Sequence, residues 1–245
     1  MFPYKDENPT LTTPVVTVAL IALNAAAWVL IQGMGTDPAL KDSVCRLGFI
    51  PGYLFGGIPV HTEISLGYGV SCTLGGFPPW ATVLTSMFMH GGWMHLIGNM
   101  WFLWVFGNNI EDSTGHLRFL AFYLLCGGIA ALTQAVADPL SALPMVGASG
   151  AISGVMGGYI VLYPRVRVHM IVFLVVFITR IVVPAYLMLG YWFLLQLLSS
   201  VPRISTETGG VAFLAHAGGF VAGMLLVLLF RNSRLVAQRL AHGLP

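Results

Sequence analysis

The stretch PMVGASGAISGVMGGY, residues 144–159, places two serines and five glycines inside an apolar run. Runs of this kind occur where two backbones approach closely or where a loop binds phosphate. The phosphate-loop pattern GxxxxGK[ST] is absent, and no clear strand precedes the run. Gly150, Gly154 and Gly158 recur at every fourth position, as do Gly219 and Gly223 further along. The pattern predicts helices that pack tightly against one another.

The composition of the whole chain places these helices in a membrane. Of 245 residues, 57% are hydrophobic and 8% are charged, whereas soluble domains carry about 25% charged residues. Apolar runs of about 20 residues recur, and each is long enough to cross a hydrocarbon core of about 30 Å. The net charge of +2, spread over scattered basic residues, gives no indication of a nucleic-acid partner. The chain is therefore predicted to be an all-α protein embedded in a lipid bilayer.

Six apolar segments are predicted to form transmembrane helices in a single domain that covers residues 1–245. These segments are residues 15–31, 91–106, 117–136, 147–163, 181–199 and 211–230. A long loop, residues 34–80, separates the first two helices, and short polar segments, residues 1–12 and 231–245, flank the bundle. Residues 170–179 are apolar but too few to cross the bilayer, and Arg180 follows them. They are interpreted as a partly immersed connection before the fifth helix.

The basic residues predict the orientation of the six helices. Six spans place both termini on one side of the membrane. Seven Lys and Arg residues fall on that side and three on the other: Lys5, Arg118, Arg165, Arg167, Arg231, Arg234 and Arg239 against Lys41, Arg46 and Arg203. The termini are therefore predicted to be cytoplasmic, and the second, fourth and sixth helices enter from the extracytoplasmic side. The absence of an Arg-rich and Ser-rich transit segment favours a prokaryotic inner (plasma) membrane.

Four polar side chains are predicted to lie at one depth in this bundle. Ser149, His216, His95 and Asn99 occur near the starts of the fourth, sixth and second helices, within roughly 5 to 10 Å of the outer boundary. A serine becomes a nucleophile when a neighbouring base takes its proton, so Ser149 and His216 form a candidate catalytic dyad. His95, Asn99 and a backbone N–H at the start of the fourth helix are candidate donors to an oxyanion.

Structural explanations compete with this interpretation. A membrane serine such as Ser149 more often bonds its own backbone, and His216 alone can be a buried hydrogen-bonding histidine. His90, His95 and His216 are three imidazoles, but HExxH is absent and the first two are five residues apart, so no metal or other cofactor is predicted. Cys45 and Cys72 share the long loop, and both a disulfide in an oxidising space and two free thiols fit the sequence.

Three motifs in this order resemble those of the rhomboid family of intramembrane serine proteases. They are TSMFMHGGWMHLIGNMWFLWVFGNNIED at residues 85–112, GASGAISG at residues 147–154 and AHAGGFVAG at residues 215–223. The resemblance extends over about residues 12–231. It implies a six-helix rhomboid-like bundle with a long loop between helices 1 and 2. Its implied activity is that of a serine endopeptidase acting inside the membrane.

The resemblance also implies roles for individual residues. Ser149 would be the nucleophile and His216 the general base. The oxyanion hole would consist of His95, Asn99 and the backbone N–H of Ser149, and further residues would support it: His90 and Gly147. The implied substrates are single-pass transmembrane proteins, cut near the extracytoplasmic end of their helix.

Two positions depart from the family pattern. Ser153 stands where similar proteins carry a tyrosine that stacks on the catalytic histidine, so another group must orient His216, such as an aromatic side chain from helix 2 or helix 5. Trp80 is followed by Ala81, so the Trp-Arg pair of the first loop is not intact.

Two other functions compete with proteolysis. The first is a non-catalytic member of the same fold that binds and escorts membrane clients, and the second is a small-solute transporter. Retention of four residues argues against the first: Ser149, His216, His95 and Asn99. The lack of charges inside the predicted spans argues against the second.

Overall fold

The computed structural model describes residues 2–59, 61–67, 70–73, 77–174, 177–200 and 213–245, and most of these residues are helical. The α-helices are α1 (Val15–Leu30), α2 (Ala39–Leu47), α3 (Pro51–Leu54), α4 (Pro79–Thr85), α5 (Trp93–Thr114), α6 (His116–Ala137), α7 (Ser149–Leu162), α8 (Ala185–Ser199), α9 (Phe213–Phe230) and α10 (Ser233–Ala241). The strands are β1 (Phe2–Asp6), β2 (Glu63–Gly67), β3 (Val70–Thr73), β4 (Arg167–Leu174) and β5 (Phe177–Pro184).

Each predicted transmembrane segment overlaps a helix: α1, α5, α6, α7, α8 and α9. By length and apolar composition, α6 and α9 are the two described helices that can cross a membrane on their own. The apolar helices α1, α7 and α8 are shorter, with 16, 14 and 15 residues. That the chain crosses the membrane six times therefore stays a prediction. Residues 211–212, where the sixth helix was expected to begin, lie outside the described residues, as does Arg203.

Helix α5 is longer than the sequence predicted. It begins at Trp93 and continues to Thr114 instead of ending at residue 106. The polar residues of its last two turns are not exposed, and three of them, Asn109, Glu111 and Asp112, bond the chain before and at the start of α1. The carboxylate of Glu111, which is fully buried, accepts hydrogen bonds at 2.8 Å from the backbone N–H groups of Val16 and Thr17. A carboxylate there stabilises the free N–H groups and the positive end of α1.

Most of the predicted connection at residues 170–179 lies in a β-hairpin, and its partial immersion in the bilayer stays a prediction. Strands β4 and β5 pair antiparallel, and β1 joins the other edge of β4 with Phe2 opposite Ile171. The stretch is rich in β-branched residues, which favour strands over helices. The fifth helix therefore starts at Ala185 and not at residue 181, directly after Pro184, whose missing N–H is no loss at a helix start.

The predicted long loop between the first two long helices contains regular structure. Helices α2, α3 and α4 and the antiparallel pair β2 and β3 occupy much of it, although residues 60, 68–69 and 74–76 lie outside the described residues. Phe49 and Met145 exchange backbone hydrogen bonds of 2.9 and 2.7 Å, which fasten this segment to the chain leading into α7. Cys45 is disulfide-bonded, whereas Cys126 is a free buried thiol. The side chain of Cys72 lies outside the described part of the chain.

The polar flanking segments also fold onto the bundle. Arg239 of α10 is 1% exposed and forms an ion pair with Asp112 of α5. Its guanidinium also donates to the side chain of Asn8 and to the backbone oxygens of Pro9 and Pro245. The two ends of the described chain are therefore held together at one end of α5.

Helices α7 and α9 pack backbone against backbone, as the glycine spacing predicted. A Cβ atom placed on Gly223 would lie 1.9 Å from the carbonyl oxygen of Gly154, and one on Gly219 would lie 2.2 Å from that of Gly150. No side chain fits in either place. The small residues thus set the separation of the two helices.

Candidate active site

Ser149 and His216 meet across the interface between α7 and α9. Ser149 is the first residue of α7, and His216 lies in the first turn of α9. The Ser149 Oγ atom is 2.7 Å from Nε2 of His216, which is a hydrogen-bonding distance. Gly150 and Gly219, which make the close backbone contact, are one and three residues away in sequence. The tight packing of these two helices therefore brings the hydroxyl to the imidazole.

The second ring nitrogen of His216 faces α8. Its Nδ1 atom is 2.8 Å from Oε1 of Gln196, and the ring of Trp192, one turn earlier, lies 6.0 Å from the imidazole between centroids. Trp192 supplies the aromatic contact from the fifth helix that the sequence suggested. Ser153 instead donates a 2.6 Å hydrogen bond to the carbonyl oxygen of Ser149 in its own helix.

Gln196 was not anticipated from the sequence. The only signal for it was an isolated amide in an apolar helix, where polar side chains are rare and tend to face the protein interior. Its partner is 20 residues away along the chain, so no local pattern connects the two.

His95 and Asn99 lie against the backbone that leads into α7. A Cβ atom on Gly147 would be 2.7 Å from Nε2 of His95 and 3.5 Å from Nδ2 of Asn99, and Gly147 has a φ of +124° that favours glycine. The Nδ2 atom of Asn99 is buried and has no hydrogen-bond partner within the described ranges. The backbone N–H of Gly91 donates to Nδ1 of His95 at 3.4 Å, which leaves the proton on Nε2 facing Gly147. Both side chains therefore present donors beside the start of α7.

His90 lies behind His95, in the loop before α5. The side-chain amide of Gln32 accepts from the backbone N–H of His90 and donates to its carbonyl oxygen, both at 2.8 Å, and so fixes this loop. The two imidazole rings make an edge contact with centroids 5.2 Å apart. Burial lowers the pKa of His90 to about 3, so its ring is neutral at ordinary pH. His90 thus packs against His95 without adding charge.

A cavity of about 600 Å³ opens onto these residues. Ser149, His216, His95 and Gly147 contribute to its wall, and apolar side chains such as Phe49 and Met145 contribute much of the rest. Among the described residues, no group of three His, Cys, Asp or Glu side chains is placed to hold a metal ion. The arrangement offers a serine beside an imidazole, with hydrogen-bond donors nearby, in a largely apolar chamber.

Fold and site together define a helical protein in which a serine and a histidine from two glycine-packed helices face one cavity. The sequence profile of the Rhomboid domain matches residues 78–233, which is more than half of the chain. The chain belongs to the rhomboid family and is an integral membrane protein.

Named relatives extend this comparison. The putative rhomboid protease YdcA of Bacillus subtilis is 27% identical over 182 residues, which are 72% of this chain and 81% of YdcA. Rhomboid-like protease 5 of Toxoplasma gondii is 32% identical over 149 residues, or 58% of this chain, but the match spans 15% of that protein. Rhomboid-like protein 11 of Arabidopsis thaliana chloroplasts is 38% identical over 78 residues, which are 32% of this chain and 28% of its own length.

Proposed function

We propose that this protein is an intramembrane serine endopeptidase that cleaves single-pass transmembrane proteins. The observation that carries the proposal is the 2.7 Å contact between Ser149 Oγ and His216 Nε2 at the wall of the cavity. Several of the relatives are named proteases, which supports the same reaction class.

In the proposed reaction, Ser149 Oγ attacks the carbonyl carbon of the scissile peptide while its proton passes to Nε2 of His216. The carbonyl π electrons move to oxygen, and the resulting oxyanion accepts hydrogen bonds from His95, Asn99 and the backbone N–H of Ser149. When the carbonyl re-forms, the C–N bond breaks and Nε2 gives its proton to the departing amine. Water then attacks the acyl ester, His216 takes a proton from it, and that proton returns to Ser149 Oγ as the ester bond breaks.

The proposed setting is a six-span bundle with cytoplasmic termini in a prokaryotic plasma membrane. α7 has 14 residues, which is about 21 Å of helix and shorter than a hydrocarbon core of about 30 Å. In the proposed orientation Ser149 is therefore recessed below the extracytoplasmic surface, and water reaches it through the cavity. The substrate helix is cut near that surface.

Labelling with a fluorophosphonate tests the proposal without knowledge of the substrate. Purified protein in detergent is expected to be modified at Ser149 only, and Ser149→Ala and His216→Ala are expected to abolish the labelling. Ser153→Ala is the matched control, because Ser153 is one turn further along α7 and bonds its own helix. It should label like the wild type.

Cleavage of a transmembrane reporter in liposomes is the second arm of this test. A folded wild-type protein that neither labels with two classes of serine-directed electrophile nor cuts the reporter would contradict the proposal. That result would favour a non-catalytic rhomboid-like protein that binds and escorts membrane clients.

A further inference from the structure

A hydrogen-bond acceptor for the second nitrogen of His216 is supplied by α8. The Nδ1 atom of His216 is 2.8 Å from Oε1 of Gln196, and the Nε2 atom is 2.7 Å from Ser149 Oγ. We infer that Gln196 is a positioning residue, which holds His216 in the tautomer that can take a proton from Ser149. This inference rests on the proposed function.

The amide oxygen of Gln196 determines which ring nitrogen of His216 carries the proton. An amide Oε1 only accepts hydrogen bonds, so the imidazole must carry its proton on Nδ1. The lone pair of neutral imidazole is then on Nε2, directed at the Ser149 hydroxyl. In the other tautomer, Nε2 would donate to Ser149 and could not accept its proton.

A neutral acceptor suits the surroundings of this histidine. A carboxylate in a largely apolar region would carry a large desolvation penalty, whereas an amide needs only hydrogen-bond partners. When His216 becomes positively charged during the reaction, Oε1 of Gln196 stabilises the Nδ1–H group without a buried negative charge.

Two side chains of α8 hold the same imidazole. Trp192 and Gln196 are four residues apart and so project from one face of the helix, and Trp192 contacts the ring of His216 with centroids 6.0 Å apart. The imidazole is therefore held by a ring contact with Trp192 and by the hydrogen bond at Nδ1. Gln196 is absent from the lining of the cavity, so it acts on the reaction through His216.

The test measures the rate of fluorophosphonate labelling of Ser149 against pH in the full-length protein. Gln196→Leu removes the acceptor at similar volume, and we expect labelling to slow by about tenfold to a hundredfold, the range for a hydrogen bond to a group that becomes charged. The probe concentration at half-maximal rate should not change. Gln196→Glu restores an acceptor and should recover much of the rate.

The pH profile separates positioning from a merely structural role. The midpoint of the rise in rate should move to lower pH in Gln196→Leu and to higher pH in Gln196→Glu, because the first variant destabilises the imidazolium and the second stabilises it. Loss of structure cannot shift the midpoint in opposite directions. Gln134→Leu is the matched control, since it removes the same amide from α6, where Oε1 has no partner among the described residues.

Unchanged rates and midpoints in both Gln196 variants would overturn the inference. If Gln196→Leu fails to fold, as judged by its unfolding temperature, the shift of the pH midpoint in Gln196→Glu alone tests the inference. Absence of labelling in the wild-type protein would instead overturn the proposed function, so the two failures are distinguishable.

Discussion

At the residue scale, the site depends on one glycine as much as on the side chains that it contacts. Gly147 adopts a φ of +124° and leaves room for the edge of the His95 ring. Any larger residue must both strain the backbone and displace the donor beside Ser149. The proposed oxyanion donors and the proposed nucleophile are thus linked through the main chain as well as through the proposed reaction.

Gly147→Ala is therefore expected to reduce activity. Its Cβ atom would meet Nε2 of His95 at 2.7 Å, which displaces one donor, and loss of one oxyanion donor lowers turnover by about 10²–10³-fold. The measurement is the labelling rate of Ser149 together with reporter cleavage. Gly128→Ala is the control, because a Cβ on Gly128 meets nothing within 4 Å. Equal labelling rates in the two variants would show that the absence of a side chain at Gly147 is not needed for the reaction of Ser149.

At the scale of elements, the contact between α7 and α9 determines whether Ser149 and His216 meet. Gly154 and Gly223 bring the two backbones together, one turn or more beyond Ser149 and His216. An interface built on backbone contact has no flexible side chain that can rearrange, so extra volume must separate the helices.

Gly223→Ala is expected to impair stability and activity together. The new methyl group would lie 1.9 Å from the carbonyl oxygen of Gly154, and overpacking of this kind typically costs about 1 to 3 kcal/mol. We expect a lower unfolding temperature and slower labelling of Ser149. A variant that keeps both properties at wild-type values would show that α7 and α9 are not held by this contact.

At the scale of the whole molecule, the N-terminal strand β1 bonds to α7, which carries Ser149 at its other end. The hydroxyl of Tyr159, near the end of α7, donates a 2.6 Å hydrogen bond to the carboxylate of Asp6 in β1. Burial raises the pKa of Asp6 to about 6 and outweighs the opposing effect of the Tyr159 hydrogen bond. The native state therefore binds a proton on Asp6 more tightly than the unfolded chain, whose pKa is near 3.8.

The free energy of unfolding of the protein is consequently expected to depend on pH through Asp6. The contribution of Asp6 is fully present below pH 3.8 and is lost as pH rises to about 6, because the native state binds more protons than the unfolded state in this window. The unfolding temperature in detergent should fall over that interval. Asp6→Asn keeps an acceptor for Tyr159 but cannot titrate, so it should flatten this part of the curve. An identical pH dependence in the variant would contradict the assignment.

The spacing of small and polar residues predicted much of this arrangement. The glycine repeats predicted close helix packing, and the structure confirms it for α7 and α9. Each predicted segment overlaps a helix, because apolar runs of this length have few other stable forms. The hydrogen bond between Ser149 and His216 agrees with their predicted common depth, while their catalytic roles stay predictions.

Other features depended on contacts that no local pattern describes. Helix α5 runs past residue 106 because Glu111 bonds the N–H groups of α1, 94 and 95 residues away. The apolar stretch around Met170 lies in the hairpin of β4 and β5, and β1, from the far end of the chain, pairs with the other edge of β4. In both cases one partner is remote in sequence, so no local pattern predicts the contact.

From the amino-acid sequence one can predict the membrane character of the chain, the approximate positions of its long helices and the residue types of the candidate site. These follow from composition and from the helical period, which act locally along the chain. Tertiary structure alone decided what holds His216. Gln196 and Trp192 reach the imidazole only because α8 packs beside α9. Contacts between helices depend on how whole faces fit together, and that fit is a property of the assembled bundle.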